Sequence, residues 1–345
     1  MNYYQVIPAM KLPYDYLTYA SAETIERGQI VRIPVRKKLQ YAVVIKKQNN
    51  LDFDPKLLKF IESTTPFKLS DNQINFLHIF SFNTFNKLGL SSLLFIQPFK
   101  ILPKKIIDTL DIQTKSQSPD VNKGDNNGIN KQFIPKVDYI IDYNITVRIR
   151  YIIRSIKYTN SVLFLFPEQK WIDKAIKDLT GSGIDMTQIH IYTGKKDAHS
   201  KKTVQRLLNG DRIIVFGLRS SLFLPYNSLD AIFCIDEGNP FYIQEQNSIY
   251  YDTREVVFLA AQSFQTSLTF ISNLPSIRLH RIASEKRLDD NTIKYTSQDS
   301  NRLYVSMNTP ESKFTKNSLF SDELSELLDS FKPDQEYSVN FEAEE

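Results

Sequence analysis

The chain has 345 residues, 41% of them apolar and 12% aromatic, and a formal net charge of +4. That is enough apolar material for two or three packed domains, and it excludes a mostly disordered polymer. A single cysteine, Cys234, and four scattered histidines (His78, His190, His199, His280) exclude an internal disulfide and a zinc knuckle.

No run reaches the roughly 18 apolar residues of a membrane span, and Met1-Asn2-Tyr3-Tyr4 lacks a basic-then-apolar signal pattern. A cytoplasmic protein with no membrane partner is expected. The charge is uneven: residues 1–105 hold fifteen Lys/Arg against seven Asp/Glu, whereas Asp322 to Glu345 holds nine acids and Lys332 alone as a base. A basic front predicts a polyanion-binding domain, and the acidic end a solvated extension over residues 285–345.

Residues 1–51 read as β-rich. Tyr3, Tyr4, Val6 and Ile7 begin an extended segment, and a turn follows around Lys11-Leu12-Pro13-Tyr14-Asp15. Gln29–Val35 and Gln40–Lys47 predict a hairpin with a basic tip at Arg36-Lys37-Lys38. From Arg27 to Leu51 there are seven cations and no acid, with Tyr41 among them, and strand alternation is expected to put several on one side. That is the footprint of phosphate-backbone contact through Arg32, Lys37 and Lys38; a solvated face is the plainer alternative.

Residues 52–110 turn helical. Ser70 and Gln73 form a capping box, and Ile74, Leu77, Ile79, Phe80 and Phe82 supply a wide apolar face; Leu90–Ile96 predicts a second helix. Residues 111–135 are polar and read as a flexible linker. Over residues 136–284, strand-like runs (Val137–Tyr143, Val162–Pro167, Gln188–Thr193, Arg212–Leu218, Leu229–Asp236, Leu268–Ser272) alternate with helical patterns at Arg148–Tyr158, Glu168–Leu179, Lys201–Leu208 and Thr253–Phe264. The alternation predicts an α/β domain with a parallel sheet covered on both faces. A further helix is expected at Asp322–Phe331.

Asp236-Glu237 closes the apolar run Leu229–Ile235, where a nucleotide-driven motor places a magnesium-binding Asp and a water-activating Glu. Such a motor also needs a glycine-rich loop ending in Lys and Ser/Thr, because glycine lets backbone N–H groups converge on phosphates. No glycine lies between Gly128 and Gly181, and Gly-Lys-Ser/Thr occurs nowhere. Gly181-Ser182-Gly183 follows a helical pattern and reads as a C-cap. Trp171 and Cys234 read as packing residues.

Several stretches, in order, resemble the primosomal protein N′ family, the helicases of bacterial replication restart. They are Lys11–Tyr19, Gly28–Val35, Ala42–Ile45, Leu165-Phe166-Pro167-Glu168, Thr193-Gly194, Gly217–Phe223, Ile235-Asp236-Glu237, Tyr251–Val256 and Leu274-Pro275-Ser276. The resemblance implies a 3′-DNA-binding domain, a winged-helix-like region and a first RecA-like helicase domain. It also implies an end-binding pocket at Tyr14, Asp15 and Lys59, with Arg36 where the family has a glycine, and DNA-backbone contact at Arg219 and Ser220. The family's phosphate loop falls near Tyr143-Asn144-Ile145-Thr146, which carry no Gly or Lys, and its Asp-Glu-x-His appears as Asp236-Glu237-Gly238-Asn239. The expectation is therefore a DNA-binding replication-restart factor for forked DNA or free 3′ ends, with replication proteins as further partners. Asp236 and Glu237 become a non-catalytic remnant, and no cofactor or metal is expected. Two alternatives remain: a 3′-5′ helicase using ATP and magnesium through an unorthodox site or a second subunit, and a scaffold for replication proteins.

Overall fold

The computed structural model describes residues 1–49, 58–103, 133, 135–141, 144–245, 249–273 and 276, and three short strand segments beyond them, 293–295, 303–306 and 339–342. The expected linker lies almost wholly outside these residues, as do the Asp322–Phe331 helix and most of the acidic extension. Residues 1–296 form one compact unit and residues 297–345 another. In the second, strands Leu303–Ser306 and Val339–Glu342 pair in parallel.

The first unit begins with β1 (Asn2–Pro8), β2 (Leu17–Ser21), β3 (Gln29–Val35), β4 (Lys38–Gln48) and β5 (Ser63–Lys68). They form an antiparallel sheet in the order β2-β1-β4-β3-β5. The segment entering β5 returns to β2: the Ala20 N–H donates to the Lys59 carbonyl at 2.9 Å and the Ile61 N–H to the Ala20 carbonyl at 2.9 Å. The sheet thus closes on itself. Alternation sorts its residues: Val6, Val31, Ile33, Ala42 and Val44 fill the inside with Tyr4 and Tyr19. Ile7, Ile30, Val43 and Ile45 face a second, larger core. The unbroken run Ala42–Ile45 is apolar because both faces of β4 are covered.

That larger core is walled by α1 (Asp71–Asn83) and α2 (Leu88–Lys100). The Ser70–Gln73 capping box starts α1. Phe76 stacks on Phe223 at 5.7 Å and meets Phe80, Phe95 and Phe264 at near edge-on angles. Buried Gln73 donates from Nε2 to the Leu224 carbonyl at 3.0 Å. The helix pair is therefore the common wall between the strand ring and the α/β part. Phe82 departs from the expected apolar face, being 80% exposed. It follows Leu77 by five residues, about 140° around a helix with 3.6 residues per turn, and so points away from the core.

The α/β part has β6 (Val137–Ile141), α3 (Ile145–Ser155), β7 (Ser161–Leu165), α4 (Gln169–Leu179), β8 (Ile189–Tyr192), α5 (Ala198–Leu208), β9 (Ile214–Gly217) and β10 (Leu229–Ile235). Short strands β11 (Ile243–Gln244) and β12 (Tyr251–Asp252) lead to α6 (Thr253–Phe264), β13 (Ser267–Ser272) and β14 (Ile293–Tyr295). The sheet is parallel, ordered β14-β6-β13-β10-β7-β9-β8. Residues of α3 and α4 pack on one face of it, and residues of α5, α6 and the α1–α2 wall on the other. The predicted antiparallel β-rich front and parallel α/β domain are both present.

Candidate nucleic-acid interface

The β1–β2 loop carries Tyr14 and Asp15. It is anchored where the Ala9 N–H donates to the Tyr41 carbonyl at 2.8 Å. Beyond the loop, β2 resumes with Leu17 opposite Val6. The start of α2 supports it from beneath: a Cβ on Gly89 would lie 2.2 Å from the Met10 carbonyl oxygen and 2.7 Å from that of Pro8. Only glycine permits this approach, so the helix end fixes the height of the loop. Tyr14 is 70% exposed, and Asp15 is exposed beside it. The Tyr16 hydroxyl lies 3.4 Å from His78 Nδ1. Burial holds the His78 imidazolium below its ordinary range, aided by the Arg27 charge and opposed by Asp15.

The β3–β4 turn lies at the same end of the sheet as that loop, because Pro8 at the end of β1 pairs with Ala42, four residues from the start of β4. Arg36 sits in the turn at φ 56°, the left-handed region that favours glycine. Arg36 thus holds a backbone conformation that glycine would adopt without strain, and it presents a guanidinium there. Lys59 contributes its carbonyl to the ring closure, and its side chain is exposed.

The cations between Arg27 and Leu51 do not form one cluster. Arg27 is drawn off: its Nε donates to Asp71 at 2.9 Å and its Nη1 to the Ile45 carbonyl at 2.9 Å. Arg36, Lys37 and Lys38 cluster at the turn, while Lys46 and Lys47 lie eight or nine residues along β4, roughly 27 Å away at about 3.4 Å per residue. Arg32 projects outward opposite Tyr41, and its guanidinium lies 5.8 Å from that ring's centre; the Lys100 ammonium is 5.2 Å from the same ring. Tyr41 therefore orders two cations. The alternation is also interrupted in β4, which slips register against β1 between Gln5 and Val6.

The acidic pair is differently held. Asp236 adopts φ 54°, and its Oδ2 accepts from Asn239 Nδ2 at 3.0 Å. Glu237, 1% exposed, accepts at Oε1 from the Tyr139 hydroxyl at 3.3 Å and the Ser276 N–H at 2.7 Å. Burial and the Glu237 charge push the Tyr139 phenol far above its ordinary value. Arg254 forks onto Asp252 with Nε and Nη2, the latter at 2.7 Å. Arg219 donates from Nη1 to the carbonyls of Phe241 at 2.8 Å and Ile243 at 2.5 Å. Ser220 lies against Gly194, whose Cβ would meet its Oγ at 2.6 Å. Arg219 thus braces the loop at residues 241–243, and Ser220 packs against the turn at Gly194.

Between β6 and α3 the chain has three residues, 142–144, and Asn144 caps α3 by accepting from the Val147 N–H at 3.2 Å. Among the described residues no group of three or more His, Cys, Asp and Glu could hold a metal ion. Nor is any described helix long and apolar enough to cross a membrane.

Sequence reasoning did not single out a groove beside Asp15, lined also by Tyr16, His78, Phe82, Phe85 and Lys87. The sequence pattern hid it, because Phe82 counts with the apolar face of α1.

Comparison with known proteins bears on the same regions. Residues 6–96 match the family model described as the 3′DNA-binding domain, 3′BD. The chain is 24% identical over 314 residues to replication restart protein PriA of Helicobacter pylori strain J99, covering 88% of this chain and 48% of that protein. The protein of the same name from strain 26695 matches to the same extent. Replication restart protein PriA of Rickettsia conorii is 30% identical over 133 residues, 38% of this chain and 20% of that protein. The chain spans about half the length of the Helicobacter relatives.

Proposed function

We propose that this chain binds DNA at free 3′ ends and branch points in replication restart, and that its α/β half does not turn over ATP. One observation carries the reading: the match of residues 6–96 to a 3′DNA-binding domain falls on the strand ring whose loop holds Tyr14 and Asp15 out to solvent. An exposed tyrosine face can stack on a terminal base, worth roughly 1–3 kcal/mol. Asp15 can accept a hydrogen bond from a 3′-hydroxyl and repels a 3′-phosphate. Lys59 and Arg36 then hold the adjoining phosphodiester, and Arg32, Lys37 and Lys38 the backbone beyond it, a contact that weakens steeply with salt.

A magnesium nucleotide does not fit the residues present. A triphosphate needs several converging amides and an ammonium group. The residues expected there, Tyr143-Asn144-Ile145-Thr146, include no glycine and no lysine, and Asn144 already accepts at the helix start. Glu237 is 1% exposed and its Oε1 already accepts from Tyr139 and Ser276, which supports a bracing role over water activation.

The test is fluorescence anisotropy on forks ending in a 3′-hydroxyl or a 3′-phosphate. The hydroxyl end should bind about tenfold more tightly, and Asp15→Ala should erase most of that ratio, as removing a charge-assisted hydrogen bond predicts. Equal binding of the two ends by the unaltered protein would sink end recognition. Saturable magnesium-ATP binding by calorimetry would sink the silent α/β half.

A further inference from the structure

Three segments bring aromatic rings to one open groove of about 480 Å³. Tyr16 comes from the β1–β2 loop, and Phe82 and Phe85 from the end of α1 and the turn into α2. Tyr250 borders them, its carbonyl accepting from Asn86 Nδ2 at 2.8 Å. Phe82 is 80% exposed, Phe85 95% and Tyr250 60%. Two highly exposed rings, Phe82 and Phe85, beside Tyr16 in one groove are not the scattered single apolar residues of an ordinary surface. Phe85 also holds φ 54°, a conformation that bulky side chains rarely adopt, so local preference does not account for a phenylalanine there.

The turn is braced. The Ser81 hydroxyl donates to the Asn86 carbonyl at 2.7 Å, the Thr84 hydroxyl to the Phe80 carbonyl at 2.7 Å, and Asn86 Nδ2 to Thr84 Oγ1 at 2.8 Å. The rings are therefore presented by a fixed scaffold. Between them stand polar groups, Asp15, His78, Ser81 and Lys87, and the aliphatic member, Leu88, is buried. A partner helix would need a continuous aliphatic wall. Flat rings separated by polar groups suit nucleobases, whose faces stack and whose edges stay wet. The surrounding residues 1–105 carry an excess of positive charge.

We propose that this groove takes the single-stranded nucleotides next to the terminal one, with Phe82 and Phe85 stacking on bases and Lys87 facing the phosphodiester. The inference rests on the reading that Asp15 receives a 3′-hydroxyl. That carboxylate also lines the groove and disfavours a phosphate at its own end, which gives the bound strand a direction.

Binding is measured on forks whose 3′ strand ends in one or in four unpaired nucleotides, with 2-aminopurine at the second or third position from the end. The unaltered protein should bind the longer end at least tenfold more tightly and quench the probe. Phe82→Ala/Phe85→Ala should lose roughly tenfold or more per ring and the quenching, yet keep the hydroxyl-over-phosphate ratio that Asp15 provides. Phe82→Trp/Phe85→Trp should restore both. An alanine variant that retains length dependence and quenching overturns the groove and leaves end recognition standing. A hydroxyl ratio absent from the unaltered protein removes end recognition and with it the strand placement proposed here. Tryptophans that fail to rescue overturn stacking as the cause.

Discussion

The strand ring and the α/β sheet share one core but treat their polar residues in opposite ways. In the ring, Tyr14, Asp15, Arg36, Lys37 and Lys59 stand in loops and turns with their side chains exposed. In the sheet, Glu237, Arg219 and Arg254 are bound to Tyr139 and Ser276, to the Phe241 and Ile243 carbonyls, and to Asp252. Each such group gives up hydration for a fixed partner, and breaking that partnership to meet a ligand would cost on the order of 1–3 kcal/mol. A polar residue at a strand end is therefore a candidate site only after its internal partners are counted.

The shared core offers the strongest way to break the comparison. Phe76 is fully buried and touches rings from α1, α2, α6 and the segment after β9. Phe76→Ala should cost about 3–5 kcal/mol. Thermal unfolding followed at both regions, by fluorescence of a label near Lys38 and of Trp171, should stay a single transition displaced to lower temperature. Two separated transitions would show that the regions fold independently.

A smaller effect tests the acidic pair. Both donors to Glu237 reach the same oxygen, Oε1, so Glu237→Gln preserves the acceptor and should change stability by less than about 1 kcal/mol. Glu237→Leu removes it and should cost about 2 kcal/mol. Neither should alter affinity for forked DNA. A glutamine variant that changes DNA binding in the presence of nucleotide would return Glu237 to a working site.

Much of this was legible in the sequence, and unevenly so. The period-two runs of β3 and β4, the Ser70–Gln73 box and the strand–helix alternation after Val137 depend on neighbours close along the chain, and they read directly. The basic hairpin was half read: alternation cannot see β4 slip register against β1, nor Asp71 capturing Arg27 across forty-four residues. The internal partners of Arg219 were hidden for the same reason, since the carbonyls that hold it belong to residues 241 and 243, which the chain brings back only through a loop after β10. The groove was missed because Phe82 counts as apolar in any pattern, and only the packed helix shows which way it faces.

The smallest expected effect distinguishes the two regions by acid. His78 in α1 and His190 in β8 are both held below the ordinary value of 6.5, in each case first by burial and then by neighbouring cations. The folded form therefore binds fewer protons than the unfolded chain near that pH. Each histidine's contribution is complete above 6.5 and is lost as pH falls through its lowered value. Carboxylates held low by hydrogen bonds, Asp185 and Asp230 among them, act only in more acid solution, below their ordinary 3.8. Stability should thus decline gently from pH 7 to pH 5, above the range in which the lowered Asp185 and Asp230 act. His78→Gln should flatten part of that decline and His190→Gln the rest. His190 Nε2 is buried without a hydrogen-bond partner among the described residues, so its protonation strains the sheet edge. His78 borders the groove, so its protonation instead adds a cation beside Asp15, and DNA affinity should rise slightly over the interval in which stability falls. A flat stability profile in the unaltered protein between pH 7 and pH 5 would contradict both assignments.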